Sequence, residues 1–230
     1  MVSGNVYSTK SNFMRYFGLE EENQKLVSEN IRLRTMLENY NVNPEEVVVD
    51  STLFPENFSF ISARVIKNNY SKSKNYITIK KGFKDGIIVD RGVISPLGII
   101  GIVSNTSKNY ATVQSILNTK SQINAKLKKS EHFGTLIWNT EDPNIVQLIQ
   151  IPRMARIVVG DTIVTGGKST IFPKGVLIGK IETFRLGEDD SYTLDIRLFN
   201  DMTNLRNLYI IENLNASEIL NLEMETEDAK

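Results

Sequence analysis

The sequence predicts a mainly β protein in which an N-terminal coiled-coil helix is followed by two small β-barrel domains of similar design. Three observations predict it: a heptad seam near the start, β-branched and aromatic runs broken by turn residues from Phe58 to Ile211, and a weak internal repeat about 75 residues apart.

The seam is Leu19, Asn23, Leu26, Asn30, Leu33, Leu37 and Tyr40, spaced alternately by four and three. That period puts all seven side chains on one stripe of a helix wound about a partner, with Leu at the d-type positions. Asn at an a position can hydrogen-bond its symmetry mate in a parallel pair, whereas another register buries it unpaired. Two such residues predict a parallel homodimer. Glu29 and Arg34 fall at g and e, the spacing of an interhelical ion pair. The alternative is an amphipathic helix lying on its own domain. Pro44, after Asn41 and Asn43, ends the helix, so residues 1–44 form the first segment and 45–57, with Val47–Val49 and Pro55, a connector.

From Phe58 onward, strands are expected at Phe60–Ile66, Tyr76–Lys80, Ile87–Val89, Val93–Ser95, Ile99–Val103 and Thr112–Leu117. Ser121–Ser130 reads equally as helix or strand, since Ile123, Ala125 and Leu127 alternate. The repeat matches Lys84-Asp85-Gly86-Ile87-Ile88-Val89, then Gly92 and Pro96-Leu97-Gly98-Ile99-Ile100-Gly101, to Val159-Gly160-Asp161-Thr162-Ile163-Val164, then Gly166-Gly167 and Phe172-Pro173-Lys174-Gly175-Val176-Leu177-Ile178-Gly179. Gly82, Gly86, Gly98, Gly101, Gly160, Gly166, Gly175 and Gly179 are therefore expected to be structural, at turns, bulges and barrel corners. Closure into barrels removes the exposed edges of open sheets. The expected division of 58–213 is one barrel from about 58–104 with part of 180–213 and another from about 105–179. Residues 214–230, with Glu223, Glu225, Glu227 and Asp228, read as an acidic, disordered tail.

Composition narrows function. With 27 basic and 27 acidic residues the formal charge is zero, which predicts neither a nucleic-acid groove nor an anionic membrane patch. The chain has no cysteine, which excludes disulfides, thiol nucleophiles and thiolate zinc sites. It contains no run of eighteen apolar residues, and Met1-Val2-Ser3-Gly4-Asn5 is not a signal peptide.

No motif assembles into chemistry. Two similar barrels prompt a search for a serine-protease triad, but the single histidine, His132, has no Gly-Asp-Ser-Gly-Gly segment to serve. Gly166-Gly167-Lys168-Ser169-Thr170 ends like a phosphate-binding loop, yet Thr162 stands where that motif needs glycine and Ile171-Phe172-Pro173 leads into a strand. Glu188-Asp189-Asp190 reads as a solvated hairpin loop rather than a calcium site. Lys126-Leu127-Lys128-Lys129 is a basic spot with no aromatic residues interleaved for stacking bases. Trp138 reads as core or as an interface anchor. No catalytic residue, metal, cofactor or small-molecule substrate is expected.

Taken in series, the coiled coil, Lys81-Gly82-Phe83-Lys84-Asp85-Gly86-Ile87, Gly98-Ile99-Ile100-Gly101, Gly160-Asp161-Thr162-Ile163-Val164-Thr165-Gly166 and Phe172-Pro173-Lys174-Gly175-Val176-Leu177-Ile178-Gly179 resemble the rod shape-determining MreC family over roughly Leu19 to Asn213. The resemblance implies a bacterial inner-membrane protein whose N-terminal span is not in this sequence, with the present part in the periplasm. It also implies a non-enzymatic scaffold of lateral peptidoglycan synthesis that maintains rod shape. Such a scaffold self-associates, contacts MreD, binds or activates the class B penicillin-binding transpeptidase and couples it to the MreB system. It carries no partner-binding surface onto numbered positions. Two rivals stand beside it: a periplasmic adaptor subunit of a transport system, whose returning helical arm is not visible here, and a hydrolase on a double-barrel fold.

Overall fold

A computed structural model describes residues 58–187 and 190–228. The predicted seam, Leu19 to Tyr40 with Glu29 and Arg34, and the connector 45–57 lie outside the described residues, as do Glu188 and Asp189. Two closed barrels of six strands each account for nearly all of the regular structure described.

Barrel 1 comprises β1 (Phe58–Asn68), β2 (Lys74–Ile79), β3 (Gly92–Ser95), β4 (Gly98–Thr106), β5 (Ala111–Asn118) and β12 (Asn207–Asn213). Around the barrel these run β1-β12-β3-β4-β5-β2, and every pairing is antiparallel. Barrel 2 comprises β6 (Ile123–Leu127), β7 (Phe133–Ile137), β8 (Ile145–Pro152), β9 (Thr162–Thr165), β10 (Leu177–Leu186) and β11 (Ser191–Leu198), in the order β10-β11-β8-β7-β6-β9. Barrel 2 is thus inserted in barrel 1, between β5 and β12. Helix α1 (Ala216–Asp228) follows.

The strands are made by aliphatic residues, most of them β-branched, that alternate in and out. Ile77, Ile79, Val93, Ile100, Val103, Val113, Leu208 and Ile210 fill barrel 1; Ala125, Leu136, Val146, Leu148, Ile163, Ile178, Leu194 and Ile196 fill barrel 2, and all are buried. Closing so few strands demands strong local bending. Register shifts supply it at Val103/Asn105 in β4 and at both Leu177/Gly179 and Ile181/Thr183 in β10.

Four expectations need correction. The barrel boundaries are different: β5 belongs to barrel 1, where it pairs with β2 and β4, while β10 and β11 close barrel 2, so the second barrel spans 123–198 rather than 105–179. Hydrogen-bond partners set this division, and periodicity does not reveal them. Ile87–Val89 is not a strand; it follows a 3-10 turn, Phe83–Asp85, that Gly86 ends in the left-handed region, and the chain then turns again at Asp90. Residues 216–228 are helical rather than disordered, because Ala, Leu, Met and Glu are strong helix formers and the acids alone do not prevent it. Lys126 is buried, so it belongs to no basic surface spot. The ambiguous 121–130 segment resolves as strand β6.

Candidate functional site

Among the described residues, the titratable groups that drew attention in the sequence do not assemble into a reaction centre. His132 Nδ1 lies 3.0 Å from Ser130 Oγ, two residues back, and among the described residues no carboxylate orients the ring. Among the described residues no group of three or more His, Cys, Asp or Glu could hold a metal ion. Asp190 of the acidic hairpin forms an exposed ion pair with Arg153 at 2.6 Å. Trp138 is buried and its Nε1–H donates to the Asp142 carbonyl at 2.9 Å, which places it in the core.

What the sequence does build is a joint between the barrels. The connection from β9 to β10 is the stretch that ends like a phosphate-binding loop. Here Thr165, fully buried, donates its hydroxyl to the Pro173 carbonyl at 2.6 Å and accepts from the Val176 N–H at 2.9 Å. Lys168 Nζ lies 3.7 Å from the Phe133 ring centroid, a cation–π contact rather than a phosphate ligand. The pinned loop carries Phe172, 4 % exposed, against Gly92 at the start of β3, where any Cβ would overlap the Phe172 ring and the Ile171 carbonyl. Gly98 meets the Leu177 backbone in the same way, and its φ of +142° is a second reason for glycine there. Asn200, on the crossing from β11 to β12, donates to the Ile99 carbonyl at 3.0 Å and accepts from Ser95 Oγ. Asn213 donates to the Thr170 carbonyl at 3.2 Å. Backbone-level contacts of this kind hold two domains as one rigid presenter.

The other glycines singled out in the sequence are distributed around the strands. Gly101 and Gly179 lie where neighbouring strands cross most closely, Gly82 abuts the 107–110 turn, and Gly166 abuts Asn124. Gly86, Gly160 and Gly175 occupy left-handed turns.

On the barrels themselves, exposed apolar side chains concentrate at three tips. One is the rim of barrel 1 formed by residues 80–91 and 107–110, with Phe83, Ile88, Val89 and Tyr110 among Lys80, Lys81, Lys84 and Lys108. The second is the turn after β8, with Met154, Val158 and Val159. The third is the β10–β11 hairpin, where Phe184 and Tyr192 make an edge-to-face pair at 5.7 Å beside Leu186. Clustered exposed apolar groups on a rigid frame are what protein-binding surfaces are made of. Sequence reading missed all three tips. Only the aromatic and β-branched residues next to turn glycines hinted at them.

Electrostatics at these places is local. The Gly82 N–H and then Lys81 hold the Asp85 carboxyl below its ordinary value. Lys126, buried beneath Glu131, does the same to Glu131.

Comparison with known proteins agrees with this frame. A family model described as "Rod shape-determining protein MreC, barrel core" matches residues 65–212. The chain is 31% identical over 158 residues to the cell shape-determining protein MreC of Listeria monocytogenes, covering 66% of this chain and 53% of that one. Against its Bacillus subtilis counterpart it is 26% identical over 165 residues, 66% of this chain and 56% of the other. The chain therefore spans about half the length of the curated relatives it matches. Among solved structures, MreC of Listeria monocytogenes superposes with a TM-score of 0.64 at 27% identity, over 90% of this chain and 94% of that one. A Helicobacter pylori structure, a complex between penicillin-binding protein PBP2 and MreC, has a TM-score of 0.56 at 14% identity, over 69% of this chain and 99% of that one. At that identity the likeness concerns the fold.

Proposed function

Because this chain belongs to the MreC family of cell shape-determining proteins, we propose that it is a non-enzymatic scaffold of lateral peptidoglycan synthesis that binds, and by binding activates, the class B penicillin-binding transpeptidase. The observation that carries this reading is the pinned two-barrel frame with its apolar tips, coinciding with the family's barrel core over residues 65–212. A relative of the same fold is seen in complex with a penicillin-binding protein. A scaffold of this kind needs rigid presentation and exposed contact area, not acid–base groups, and such a frame provides both.

In this proposal the chain self-associates in parallel through Leu19, Asn23, Leu26, Asn30, Leu33, Leu37 and Tyr40, with Glu29 and Arg34 paired across the seam. The barrels stand in the periplasm beside the inner membrane, and the assembly reaches MreD and the MreB system through parts beyond the barrels. Among the described residues no helix is long and apolar enough to cross a membrane. Family membership supports this reading over the transport-adaptor and hydrolase readings.

The test is interferometry of this chain against the extracytoplasmic part of the elongation-specific transpeptidase of its own organism, with the division-specific homologue as control. Saturable binding to the first alone is expected. Equal binding to both, or to neither by a folded chain, would remove the proposal's central interaction.

A further inference from the structure

Among the described residues, helix α1 has almost nothing to rest on. Of its described side chains only Ala216 is buried; Ser217 to Thr226 are exposed, including Ile219, Leu220, Leu222 and Met224. A 13-residue helix isolated in water is marginal, because nucleation costs more than so few turns return, and most helical stability in proteins comes from packing an apolar face. Charge limits what can cover this one. The segment carries Glu218, Glu223, Glu225, Glu227 and Asp228 and no basic residue, so two such helices side by side would repel. Its complement is a surface both apolar and basic.

The rim of barrel 1 is such a surface. Phe83 is 59% exposed and Tyr110 45%, with Ile88 and Val89 nearby. Lys80, Lys81, Lys84, Asp85, Asn109 and Tyr110 line a concavity of about 550 Å³. Lys81 is paired with Asp85 at 3.1 Å, and Asp85 also accepts from the Gly82 N–H at 3.1 Å. That leaves Lys80, Lys84 and Lys108 without an ion pair among the described residues, against Asp90 as the other carboxylate on the rim. Arg91 of this rim donates to the Asn213 carbonyl at 3.1 Å, so α1 follows β12 from the same end of the barrel, yet Phe83 and Tyr110 stay exposed.

We propose that α1 of one copy docks on the barrel 1 rim of a second copy. Its apolar residues cover Phe83 and Tyr110, and its glutamates meet Lys80, Lys84 and Lys108. Each chain offers both halves, so the contact closes as a symmetric pair with two equivalent helix–rim seats. It goes beyond the scaffold reading and uses no residue of the predicted heptad seam.

The absence of native cysteine makes the test clean. Full-length chains carrying Lys84→Cys and Glu223→Cys are mixed under oxidised glutathione and resolved by mass. A disulfide joining one of each chain is expected, at a yield well above that of Lys84→Cys mixed with Arg185→Cys, and lost when Lys80→Glu and Lys108→Glu are added to the first chain. The heterodimer yield should also fall in about 1 M salt, where the screening length is roughly 3 Å. Yield no better than the Arg185→Cys background would overturn the proposal. So would a Lys84→Cys, Glu223→Cys double variant that closes within one chain at a rate independent of concentration, since α1 would then fold back on its own rim. Dichroism of each variant separates a lost contact from a lost fold.

Discussion

The two barrels have the same strand order but are closed by different parts of the chain. Starting from β3-β4-β5 and from β9-β10-β11, each barrel continues through a hairpin, β2-β1 or β8-β7, to a last strand. In barrel 2 that last strand is β6, which precedes the others; in barrel 1 it is β12, which follows everything else. Barrel 1 is therefore a circular permutation of barrel 2 with barrel 2 inserted in the cut. The equivalence reaches single residues. A Cβ on Gly101 in β4 would overlap the Gln114 carbonyl of β5, and one on Gly179 in β10 would overlap the Arg197 carbonyl of β11. One architecture can thus be closed by local or by distant sequence, and the difference lies in folding order. Barrel 2 closes within 123–198, whereas barrel 1 must wait for a strand across the whole inserted domain.

The largest expected effect follows from removing that strand. A chain ending at Thr203 lacks β12 and leaves β1 and β3 as open edges flanking the core of Ile77, Val93 and Val113. Hydrogen exchange should show β2, β4 and β5 losing protection while β8, β10 and β11 keep theirs. Retained protection in barrel 1 would show that β12 is dispensable. The converse construction sharpens the point. Because Phe58 already pairs with Asn213, residues 207–213 placed before Phe58 through a short turn recreate the β6–β7 arrangement of barrel 2, and barrel 1 should then fold faster.

Glycine replacements come next. Gly101→Val and Gly179→Val each push a side chain into a partner strand's carbonyl, and each should cost about 2–4 kcal/mol as strands separate or bend. Similar losses from the two are the signature of equivalent positions. Gly98→Val differs, since it strikes Leu177 of the other barrel and also demands a positive φ; chemical denaturation should show it loosening the joint as well as lowering stability. An unmoved melting temperature in Gly101→Val and a large drop in Gly179→Val would break the equivalence.

How much of this was legible follows from what each signal encodes. β-branched alternation marks strands because a strand's two faces see different environments, so β1, β2, β3, β4 and β5 were readable within a few residues. The repeat was readable because Gly101 and Gly179 occupy equivalent crossings, but its Gly86–Gly160 match is offset: the Asp90 N–H donates to the Val103 carbonyl as the Gly160 N–H donates to the Ile181 carbonyl, so Asp90, also left-handed, is the counterpart of Gly160. Partner choice was not: nothing in β10 and β11 distinguishes residues that will close barrel 2 from residues that will close barrel 1, since both barrels want the same Ile, Leu and Val pattern. Ile87–Val89 misled because Ile87 is buried beneath a turn, where apolar character serves the core without a strand. The exposed tips escaped because an apolar residue looks the same in sequence whether it faces inward or outward.

A smaller effect attends the tether between β11 and β12. Asn200 is buried and serves two partners of barrel 1, the Ile99 carbonyl and Ser95 Oγ. Asn200→Ala should cost about 1–3 kcal/mol by leaving both unsatisfied. The loss should appear in barrel 1 exchange rates and leave those of β7 and β8 unchanged.

Acid should separate the barrels least, through one carboxylate in each. Asp85 of barrel 1 is held below its ordinary value of 3.8 by the Gly82 N–H and then by Lys81. Glu131 of barrel 2 is held below 4.5 by its hydrogen bond to Lys126, with a further contact to Lys174 at 3.4 Å. A depressed folded-state pKa means that each group contributes stability above its unfolded value, and that the contribution is lost as pH falls through the folded value. The partners differ in what is left behind. Lys81 is 38% exposed and rehydrates when Asp85 protonates, whereas Lys126, only 5% exposed, is left as a buried cation without its counter-ion. The stability difference between the parent chain and Glu131→Gln should therefore be present at neutral pH and shrink below pH 4.5, with Asp85→Asn showing a weaker version of the same curve below 3.8. Melting curves across that range for both variants decide it: a Glu131→Gln difference that persists unchanged at low pH would mean that Lys126 is held by its surroundings, including its position 5.8 Å from the Phe133 ring centroid, and not by the carboxylate.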